Sequence, residues 1–363
     1  MGTHADIRGI IPPYLLSKLA DDGAEQYPVA AAAARKTLAV GRPPFRHRGQ
    51  IDLSVDDTGS LVIELTDAPN RTIFDAQNAR SLPGLIVREE GEEPTADETV
   101  NAAYDGLGAT YDLLLAAFER NSLDGAGAAL HATVHYGEDY DNAFWDGERM
   151  VFGDGDGEVF SGFANSVSVI GHELAHGVIQ HTANLVYRNQ SGALNESISD
   201  VFGALTEQYL AEQTADAASW LIGSEIFTDA VQGVALRNML EPGTAYHDDV
   251  LGTDPQPGHM RDFVTMTEDN GGVHVNSGIP NRAFALLALD LGGFAWERAG
   301  VIWYHALTGT LSATATFTEF ADATVSAAQA EYGNASEEVR AVERAWRAVG
   351  VYDEPERRDP AAE

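Results

Sequence analysis

The pattern of apolar and polar positions predicts two short helices near the start of the chain. Leu15, Leu16 and Leu19 recur at helical spacing behind Pro13, a residue that suits the first position of a helix. An alanine-rich run behind Pro28 is also typical of a helix. The next stretch, "GRPPFRHRGQ", has the composition of an exposed linker.

From Ile51 to about Phe160 the pattern favours strands and turns. "IDLSVDDTGSLVIEL" alternates around a turn, and "GAALHATVHYG" is typical of a strand. We expect one helix near "ADETVNAAYDGLGATYDLLLAAFERN", and helices dominate from Ser166 onward. We interpret "GDGDGE" as a hairpin turn, because it lacks the full ligand loop of a calcium site.

Composition narrows the classes of function. The 363 residues include no cysteine, so disulfides and thiolate metal ligands are impossible. The net charge of −34 argues against nucleic acid and anionic membranes as partners. An acidic surface with few lysines suits high salt, and a GC-rich genome would also favour arginine over lysine. Both explanations remain open.

Residues 1–50 differ from the rest of the chain in charge. They carry seven cations and four acids, a net of +3, so the other 313 residues carry −37. They are not typical of a secretory signal, because Asp6 and Arg8 precede only two isoleucines and the apolar run then stops at two prolines. The longest other apolar run, "AFALLALDLGGFAW", is broken by Asp290. We therefore expect a soluble protein without a visible classical export signal.

The most informative motif is "HELAH". His172 and His176 are four residues apart on a helical pattern, so both side chains point to one face, with Glu173 between them. The H-E-x-x-H arrangement presents two imidazoles to a zinc ion and places a carboxylate beside the metal as a base. A chance match on a surface helix is the alternative for the motif taken alone.

Zinc needs a third protein ligand. The candidates are His181, the acids downstream and distant histidines. His181 is out of phase on the same helix, whereas "NESISD" offers Glu196 as a ligand and Asp200 as a partner for a ligand imidazole. We expect Asn195 to cap a helix that begins at Glu196.

Several further motifs, in order, resemble those of the thermolysin-like zinc endopeptidases, and the resemblance runs from about Ile73 to Val351. The short leader with "IIPPYLL" resembles the protealysin-type branch, which has a compact pro-segment. The matching stretches are "DNAFWDGERMVFGDGDG" at 141–157, "HELAH" at 172–176, "GALNESISD" at 192–200 and "NGGVHVNSGIPNRA" at 270–283.

The resemblance implies a two-domain α+β fold with zinc in the cleft between the domains. Together with the pattern, it divides the chain into five segments. They are a helical pro-segment (1–45), a linker and cleavage zone (46–60), a β-rich domain including the zinc-binding helix (61–185), an α-helical domain (186–352) and a disordered tail (353–363).

The resemblance also implies catalytic roles. The zinc ligands are expected to be His172, His176 and Glu196, with Glu173 as the general base. The other matching residues orient a histidine or stabilise the oxyanion of the tetrahedral intermediate: Asp200, Asn195, Asp269, Tyr187 and His274.

The implied substrate-binding residues lie around the same centre. Asn142 and Ala143 match positions that hold the substrate backbone, and Arg237 matches the arginine that contacts the carbonyl beyond the scissile bond. An apolar primed-side pocket predicts cleavage on the amino side of Leu, Phe, Ile or Val. Its expected lining is Phe160, Phe163, Val169 and Leu236.

One departure from the family concerns calcium. Thermolysin-type enzymes carry a double calcium site built from acids near the zinc helix, and calcium requires six to eight oxygen ligands. Glu207 survives here, but the other matching positions are occupied by Ser168, Ser219, Leu221 and Ser224. We therefore predict that the double calcium site is absent or weak.

The expected partners are consistent with these assignments. We expect peptide or protein substrates, a monomer, and the pro-segment as an intramolecular inhibitor that places Ile10, Ile11, Tyr14 and Leu15 in the cleft. Pro12 should help it resist cleavage. The family implies action outside the cell, and a cytoplasmic precursor is the alternative.

Two other functions remain open. A related zinc aminopeptidase would need an acidic anchor for a free amine, for which "DNAFW" offers no counterpart. A non-catalytic, zinc-stabilised binding module would tolerate the loss of Glu173, Tyr187 or His274, yet all three are present.

Overall fold

The computed structural model describes residues 9–40, 54–55, 61–62 and 68–352. For the two short pieces only the backbone is described, in which β1 (Ser54–Val55) pairs antiparallel with β2 (Leu61–Val62). The predicted tail at 353–363, and the predicted linker at 46–60 apart from β1, lie outside the described residues.

Two helices open the described chain, as the sequence predicts. α1 spans Pro13–Asp22 and α2 spans Pro28–Ala39, and each has proline in its first turn. Proline costs no hydrogen bond there, because the first N–H groups of a helix have no partner within it. The two helices pack on each other, and the buried Leu15, Leu16 and Leu19 join the hydrophobic core of the body.

A five-stranded mixed sheet forms the next unit. Its strands are β3 (Arg71–Asp75), β4 (Leu85–Glu89), β5 (Leu130–Val134), β6 (Ala143–Trp145) and β7 (Met150–Phe152), in the spatial order β4-β3-β5-β7-β6. β3, β5 and β7 run parallel, and β4 and β6 are antiparallel at the two edges. The predicted helix, α3 (Glu98–Phe118), packs against this sheet.

The "GDGDGE" segment is a turn but not a hairpin, which corrects our expectation. β7 pairs with β5 and β6, and within the described ranges no later strand joins it. Asp156 closes the turn, since its Oδ1 accepts the N–H groups of Glu158 and Val159, both at 2.6 Å. Gly155 and Gly157 supply the positive φ angles, 74° and 73°, that glycine adopts without strain.

Helices make up most of the chain from Ser166 onward, as predicted. They are α4 (Val167–Gln180), α5 (Asn189–Leu210), α6 (Asp269–Asn276), α7 (Gly278–Leu291), α8 (Ala299–Thr308), α9 (Phe317–Tyr332) and α10 (Glu337–Ala348). Two antiparallel strand pairs lie between α5 and α6: β8 (Leu221–Ile222) with β9 (Arg237–Asn238), and β10 (His247–Asp248) with β11 (Gly252–Thr253). No helix of the described chain is long and apolar enough to cross a membrane.

Glycines allow α4 and α5 to pack closely. A Cβ atom at Gly203 would lie 2.3 Å from the carbonyl oxygen of Ser168, and one at Gly171 would lie 2.7 Å from Thr206 Oγ1. Side chains larger than hydrogen would push the helices apart at both positions. The close approach brings the "HELAH" and "NESISD" side chains to one place.

α5 begins earlier than we expected. It starts at Asn189, so Asn195 lies within the helix and is not its cap. Several residues of "NQSGAL" have low helix propensity, but packing against α4 and α6 stabilises the helix over this stretch. Glu196 and Asp200 remain one turn apart on one face, which is the part of the prediction that the site depends on.

Candidate active site

Helix α4 places His172 and His176 side by side. Their ring centroids are 4.8 Å apart and their planes are perpendicular. One possible ligand atom from each histidine and one from Glu173 all lie within 4.8 Å of one another. His172 and Glu173 are fully buried, so this cluster lies in the interior of the cleft.

Hydrogen bonds from α5 fix the orientation of both rings. His172 Nδ1 lies 2.8 Å from Asp200 Oδ1, and His176 Nδ1 lies 2.7 Å from Asn195 Oδ1. Because the Nδ1–H groups donate to these oxygens, the lone pair of each imidazole is on Nε2. Both Nε2 atoms approach Glu196, at 3.5 Å for His172 and 3.6 Å for His176.

The same three residues have the chemistry of a zinc site. Among the described residues, neither His172 Nε2 nor Glu196 Oε2 has a hydrogen-bond partner, although both atoms are buried. Burial alone would raise the pKa of Glu196, but His274, His172 and His176 outweigh it and lower that pKa. Two imidazole nitrogens and a carboxylate oxygen are a donor set that zinc binds.

Asp200 joins the histidine site to Arg237. Its carboxylate accepts from Arg237 Nε at 2.8 Å, from Arg237 Nη2 at 2.7 Å and from Asn281 Nδ2 at 2.8 Å, in addition to His172. Burial would raise the pKa of Asp200, but the guanidinium and the His172 hydrogen bond hold it well below its usual range. Asp200 is therefore a buried anion with four donors.

His274 and Tyr187 also approach Glu196. His274 Nδ1 lies 2.5 Å from Asp269 Oδ1, and His274 Nε2 lies 3.3 Å from the Tyr187 hydroxyl. The Tyr187 hydroxyl also donates to Glu196. Burial lowers the pKa of His274, but Glu196 and Asp269 raise it to about 9 overall. His274 is thus protonated at neutral pH and presents an N–H to the cleft.

The first described residues, Gly9 and Ile10, lie in this cleft. His274 Nε2 lies 3.2 Å from the carbonyl oxygen of Gly9, and Arg237 Nη1 donates to the carbonyl oxygen of Ile10 at 3.2 Å. Ile10 N–H donates to the Ala143 carbonyl oxygen at 3.1 Å, on the edge strand β6. These contacts are of the kind that an extended peptide makes with a sheet edge.

The side-chain amide of Asn142 makes two hydrogen bonds to the backbone of Ile11. Ile11 N–H donates to Asn142 Oδ1 at 3.0 Å, and Asn142 Nδ2 donates to the Ile11 carbonyl oxygen at 3.1 Å. Ile10 and Ile11 are both fully buried. The residues expected to bind a substrate backbone therefore bind the chain's own backbone here.

The four expected pocket residues are buried together in the main hydrophobic cluster. The Phe160 and Phe163 ring centroids are 6.0 Å apart, and the side chain of Leu236 lies against Gly223. Their role as the lining of a specificity pocket stays a prediction. The four residues are Phe160, Phe163, Val169 and Leu236.

The expected remnant of the calcium site lies about three helical turns beyond Glu196 along α5. Ser168 Oγ accepts the N–H of Gly223 at 3.1 Å and lies 3.1 Å from Ser166 Oγ. Burial and the charge of Glu225 raise the pKa of Glu207 to about 7, against hydrogen bonds from Ser168 and Ser219. The absence or weakness of a double calcium site stays a prediction.

Two site residues were missed by the sequence analysis. The N–H of Trp145 donates to Glu173 Oε2 at 2.9 Å, and Asn281 donates to Asp200. Both lie inside the quoted motifs "DNAFW" and "NSGIPNRA". A motif shows that a residue belongs to a site, but it does not show which neighbour that residue contacts.

Comparison with known proteins agrees with this geometry. The catalytic domain of thermolysin metallopeptidases matches residues 45–180, and the alpha-helical domain of thermolysin metallopeptidases matches residues 183–351. An extracellular metalloprotease of Pectobacterium carotovorum subsp. carotovorum is 46% identical over 347 residues, which is 95% of this chain and 96% of that protein. Protease PrtS of Photorhabdus sp. (strain Az29) is 46% identical over 363 residues, covering 97% of this chain and 94% of that protein.

A solved structure is similar to this chain over most of its length. The precursor of protealysin, a metalloproteinase from Serratia proteamaculans, superimposes with a TM-score of 0.85 at 46% identity. The match covers 95% of this chain and 100% of that one. It supports the α+β fold over nearly the whole length.

Proposed function

This chain belongs to the thermolysin family of metallopeptidases and is a metalloendopeptidase, and on this premise we propose that it is a zinc-dependent precursor inhibited by its own first residues, about 1–45. The proposal rests on the hydrogen bonds between the backbone of residues 9–11 and four residues of the cleft: Asn142, Ala143, Arg237 and His274. Groups that bind the pro-segment in this way are not available to a substrate.

The fit of the site to zinc rests on its buried donors. His172, His176 and Glu196 would hold the ion, and Asp200 and Asn195 orient the two imidazoles. Bound zinc supplies a Lewis acid and lowers the pKa of a bound water to near 7. The orienting hydrogen bonds keep both Nε2 lone pairs directed at one point.

Glu173 is the proposed general base. It is buried beside the two histidines, and the Trp145 N–H holds one of its oxygens at 2.9 Å. A carboxylate in this position takes a proton from the attacking water and delivers it to the leaving amine, a role that contributes about 10²–10⁴-fold to a rate.

Tyr187 and His274 are the proposed donors to the oxyanion. Their polar atoms lie 3.3 Å apart, so both can reach one developing negative charge. The Asp269 carboxylate orients His274 and keeps it protonated. One such donor contributes about 3 kcal/mol to the stability of a transition state.

We further propose cleavage on the amino side of Leu, Phe, Ile or Val. The support is the apolar cluster of Phe160, Phe163, Val169 and Leu236, together with the buried Ile10 beside Arg237. A peptide-library profile dominated by charged residues at that position would contradict this specificity. We propose action outside the cell, because a relative of nearly the same length is named an extracellular metalloprotease.

The central experiment measures the chain length of the purified protein over time. Wild type and a Glu173→Ala variant are incubated with zinc and weighed by mass spectrometry, with metal content measured in parallel. Wild type should shorten to a chain that begins between residues 40 and 60, while the variant should bind zinc and stay whole. Glu93→Ala, at an exposed glutamate, is the control and should behave as wild type.

Two outcomes would contradict the proposal. Full activity in an uncut wild-type chain would show that the segment is structural and not inhibitory. Loss of zinc from Glu173→Ala would leave the role of Glu173 as a base without support.

A further inference from the structure

Asp141 is a buried acid that the proposed mechanism does not use. Its side chain is fully buried, and neither carboxylate oxygen has a hydrogen-bond donor within the described residues. It faces the carboxyl group of Asp156 within hydrogen-bonding reach. Two carboxylates accept and cannot donate, so a hydrogen bond between them requires one proton.

Asp156 is the partner whose carboxyl group has backbone donors. Its Oδ1 accepts the N–H groups of Glu158 and Val159 at 2.6 Å and that of Phe160 at 3.4 Å. Burial and the negative charge of Asp156 raise the pKa of Asp141 to about 10. The shared proton therefore belongs mainly to Asp141.

The pair lies between two contacts with the pro-segment. Asp141 N–H donates to Thr37 Oγ1 at 3.0 Å, and Thr37 is a fully buried residue of α2. The next residue, Asn142, holds Ile11 by two hydrogen bonds. The backbone at 140–142 lies against the turn that contains Asp156, since Gly153 N–H donates to the Asn142 carbonyl oxygen at 3.0 Å.

Charged residues of both α2 and the body surround the Asp141–Asp156 pair. From α2, Lys36 Nζ lies 2.8 Å from Asp139 and 3.7 Å from Glu138. Asp139 adds a repulsive charge to Asp141, and Lys36 adds an attractive one. Glu158 accepts the N–H groups at the start of α2, and Asp154 is paired with His135. A second negative charge at Asp141 would enter a surface that is already acidic.

We propose that Asp141 and Asp156 share one proton while the pro-segment is docked. Loss of this proton as the pH rises weakens the hydrogen bonds that Asn142 and Asp141 make with the pro-segment. Asp141 is then a positioning residue for the substrate-binding edge. The inference rests on the proposed function, in which residues 9–40 occupy the cleft as an inhibitor.

The direction of the pH effect is set by proton linkage. When α2 leaves, water reaches Asp141 and its pKa falls. Loss of the nearby Lys36 charge raises that pKa again, but only in part, because burial is the largest cause of the raised pKa in the docked state. Docking therefore takes up a proton. Between the pKa values of the open and docked states, the equilibrium constant for opening should rise up to tenfold per pH unit.

The test uses the full chain with Glu173→Ala, which is expected to stay whole, and the same chain with Asp141→Asn added. An asparagine amide donates to Asp156 at every pH. Hydrogen exchange of peptides covering 9–16 and 28–39 is measured from about pH 5 to 8, below the pKa of about 9 of His274, and corrected for the intrinsic exchange rate. Opening should increase with pH in the single variant and should be independent of pH in the double variant.

Asp139→Asn is the matched control. It removes an exposed acid that pairs with Lys36 but leaves the buried pair intact, so opening should change by one factor at all pH values. Asp156→Asn provides a second route if Asp141→Asn fails to fold, because its amide can donate to an ionised Asp141. Infrared spectra should show the carbonyl band of a protonated buried acid in the single variant, and Asp141→Asn should remove it.

Three results would overturn the inference. They are equal pH dependence with and without Asp141→Asn, absence of the acid band, and an asparagine variant that is open at every pH. Failure of the proposed function is distinguishable, since an uncut and fully active wild type would refute inhibition while the pH dependence of opening persisted.

Discussion

Two glutamates of helix α5 face α4, and their surroundings differ although their side chains are the same. Glu196 and Glu207 are eleven residues apart, which is about three helical turns, so they lie on the same face. Glu196 is surrounded by histidines, which lower its pKa. Glu207 has serines and Glu225 around it, and its pKa is raised to about 7.

The difference shows how one helix pair forms either a site suited to a metal or a partly buried acid beside serines. α4 presents His172 opposite Glu196 and, one turn earlier, Ser168 opposite Glu207. Imidazoles provide lone pairs for a cation, whereas serine hydroxyls provide hydrogen bonds only. Burial of a carboxylate is therefore compatible with ionisation only where positive charge or a metal offsets the lost hydration.

The largest effect should come from replacing the first of these two acids, Glu196, by its amide. Glu196→Gln should lose stoichiometric zinc and lower peptidase activity by at least about 1,000-fold, because an amide is a weaker metal ligand than a carboxylate. Glu207→Gln, the matched control on the same helix face, should retain zinc and activity. Metal analysis and a peptide assay measure both. Equal zinc content in the two variants would remove the distinction between the acids.

The next effect concerns the anion behind the metal site. Asp200→Asn should weaken zinc binding by about 10–100-fold, since His172 loses its orienting acceptor. It should also lower the free energy of unfolding by about 3–5 kcal/mol, because Arg237 stays buried without its counter-charge. Chelator competition and thermal unfolding measure these quantities.

The control for that variant is a surface pair. Asp290→Asn breaks the exposed contact with Arg344 and should cost less than about 1 kcal/mol. If both variants lose stability equally, the buried network around Asp200 contributes no more than a surface ion pair does.

The fold class and the proximity of His172, His176 and Glu196 could be predicted because they depend on local geometry and long motifs. Residues at i and i+4 on a helix must share a face, so spacing alone determines the arrangement of His172 and His176. The start of α5 could not be predicted in this way, because packing against α4 decides it and the capping preference of Asn195 is weaker.

Contacts between segments that are distant in the sequence could not be predicted. The links from Thr37 to Asp141, from Asp141 to Asp156 and from Asn281 to Asp200 join residues with no common periodicity. Each depends on a loop or helix placed by the whole fold. The apolar character of "GIIPPYLL" indicated a buried segment, but only the structure shows which groups hold it.

A smaller effect should appear in the pH dependence of stability. The pKa of Glu207 is raised from its ordinary value near 4.5 to about 7 in the folded state, so the folded protein binds the proton more tightly. Its contribution to stability is complete below about pH 4.5 and is lost as the pH rises through about 7. Because Glu207 is partly exposed, we expect a loss of about 1–2 kcal/mol.

The measurement compares denaturant unfolding of wild type and Glu207→Gln from about pH 5 to 8. The glutamine variant should lack this part of the slope, because it cannot titrate. If the free energy of unfolding changes equally with pH in both proteins, Glu207 has the same pKa in the folded and unfolded states.

The smallest effect should be the response to calcium, and it tests the other half of the comparison. A ligand that binds only the folded state stabilises it by about 2.7 kcal/mol at a concentration one hundred times its dissociation constant. Ser168 and Ser219 lie beside Glu207, and Leu221 occupies another position expected to carry an acid, so too few carboxylate oxygens are present for a tight calcium site. Millimolar calcium should therefore change the free energy of unfolding by less than about 0.5 kcal/mol. Ser168→Asp restores one carboxylate beside Glu207 and should make the stability more sensitive to calcium than that of wild type. A large calcium effect in wild type, or two calcium ions beside α4, would show that serine and backbone oxygens replace the missing acids.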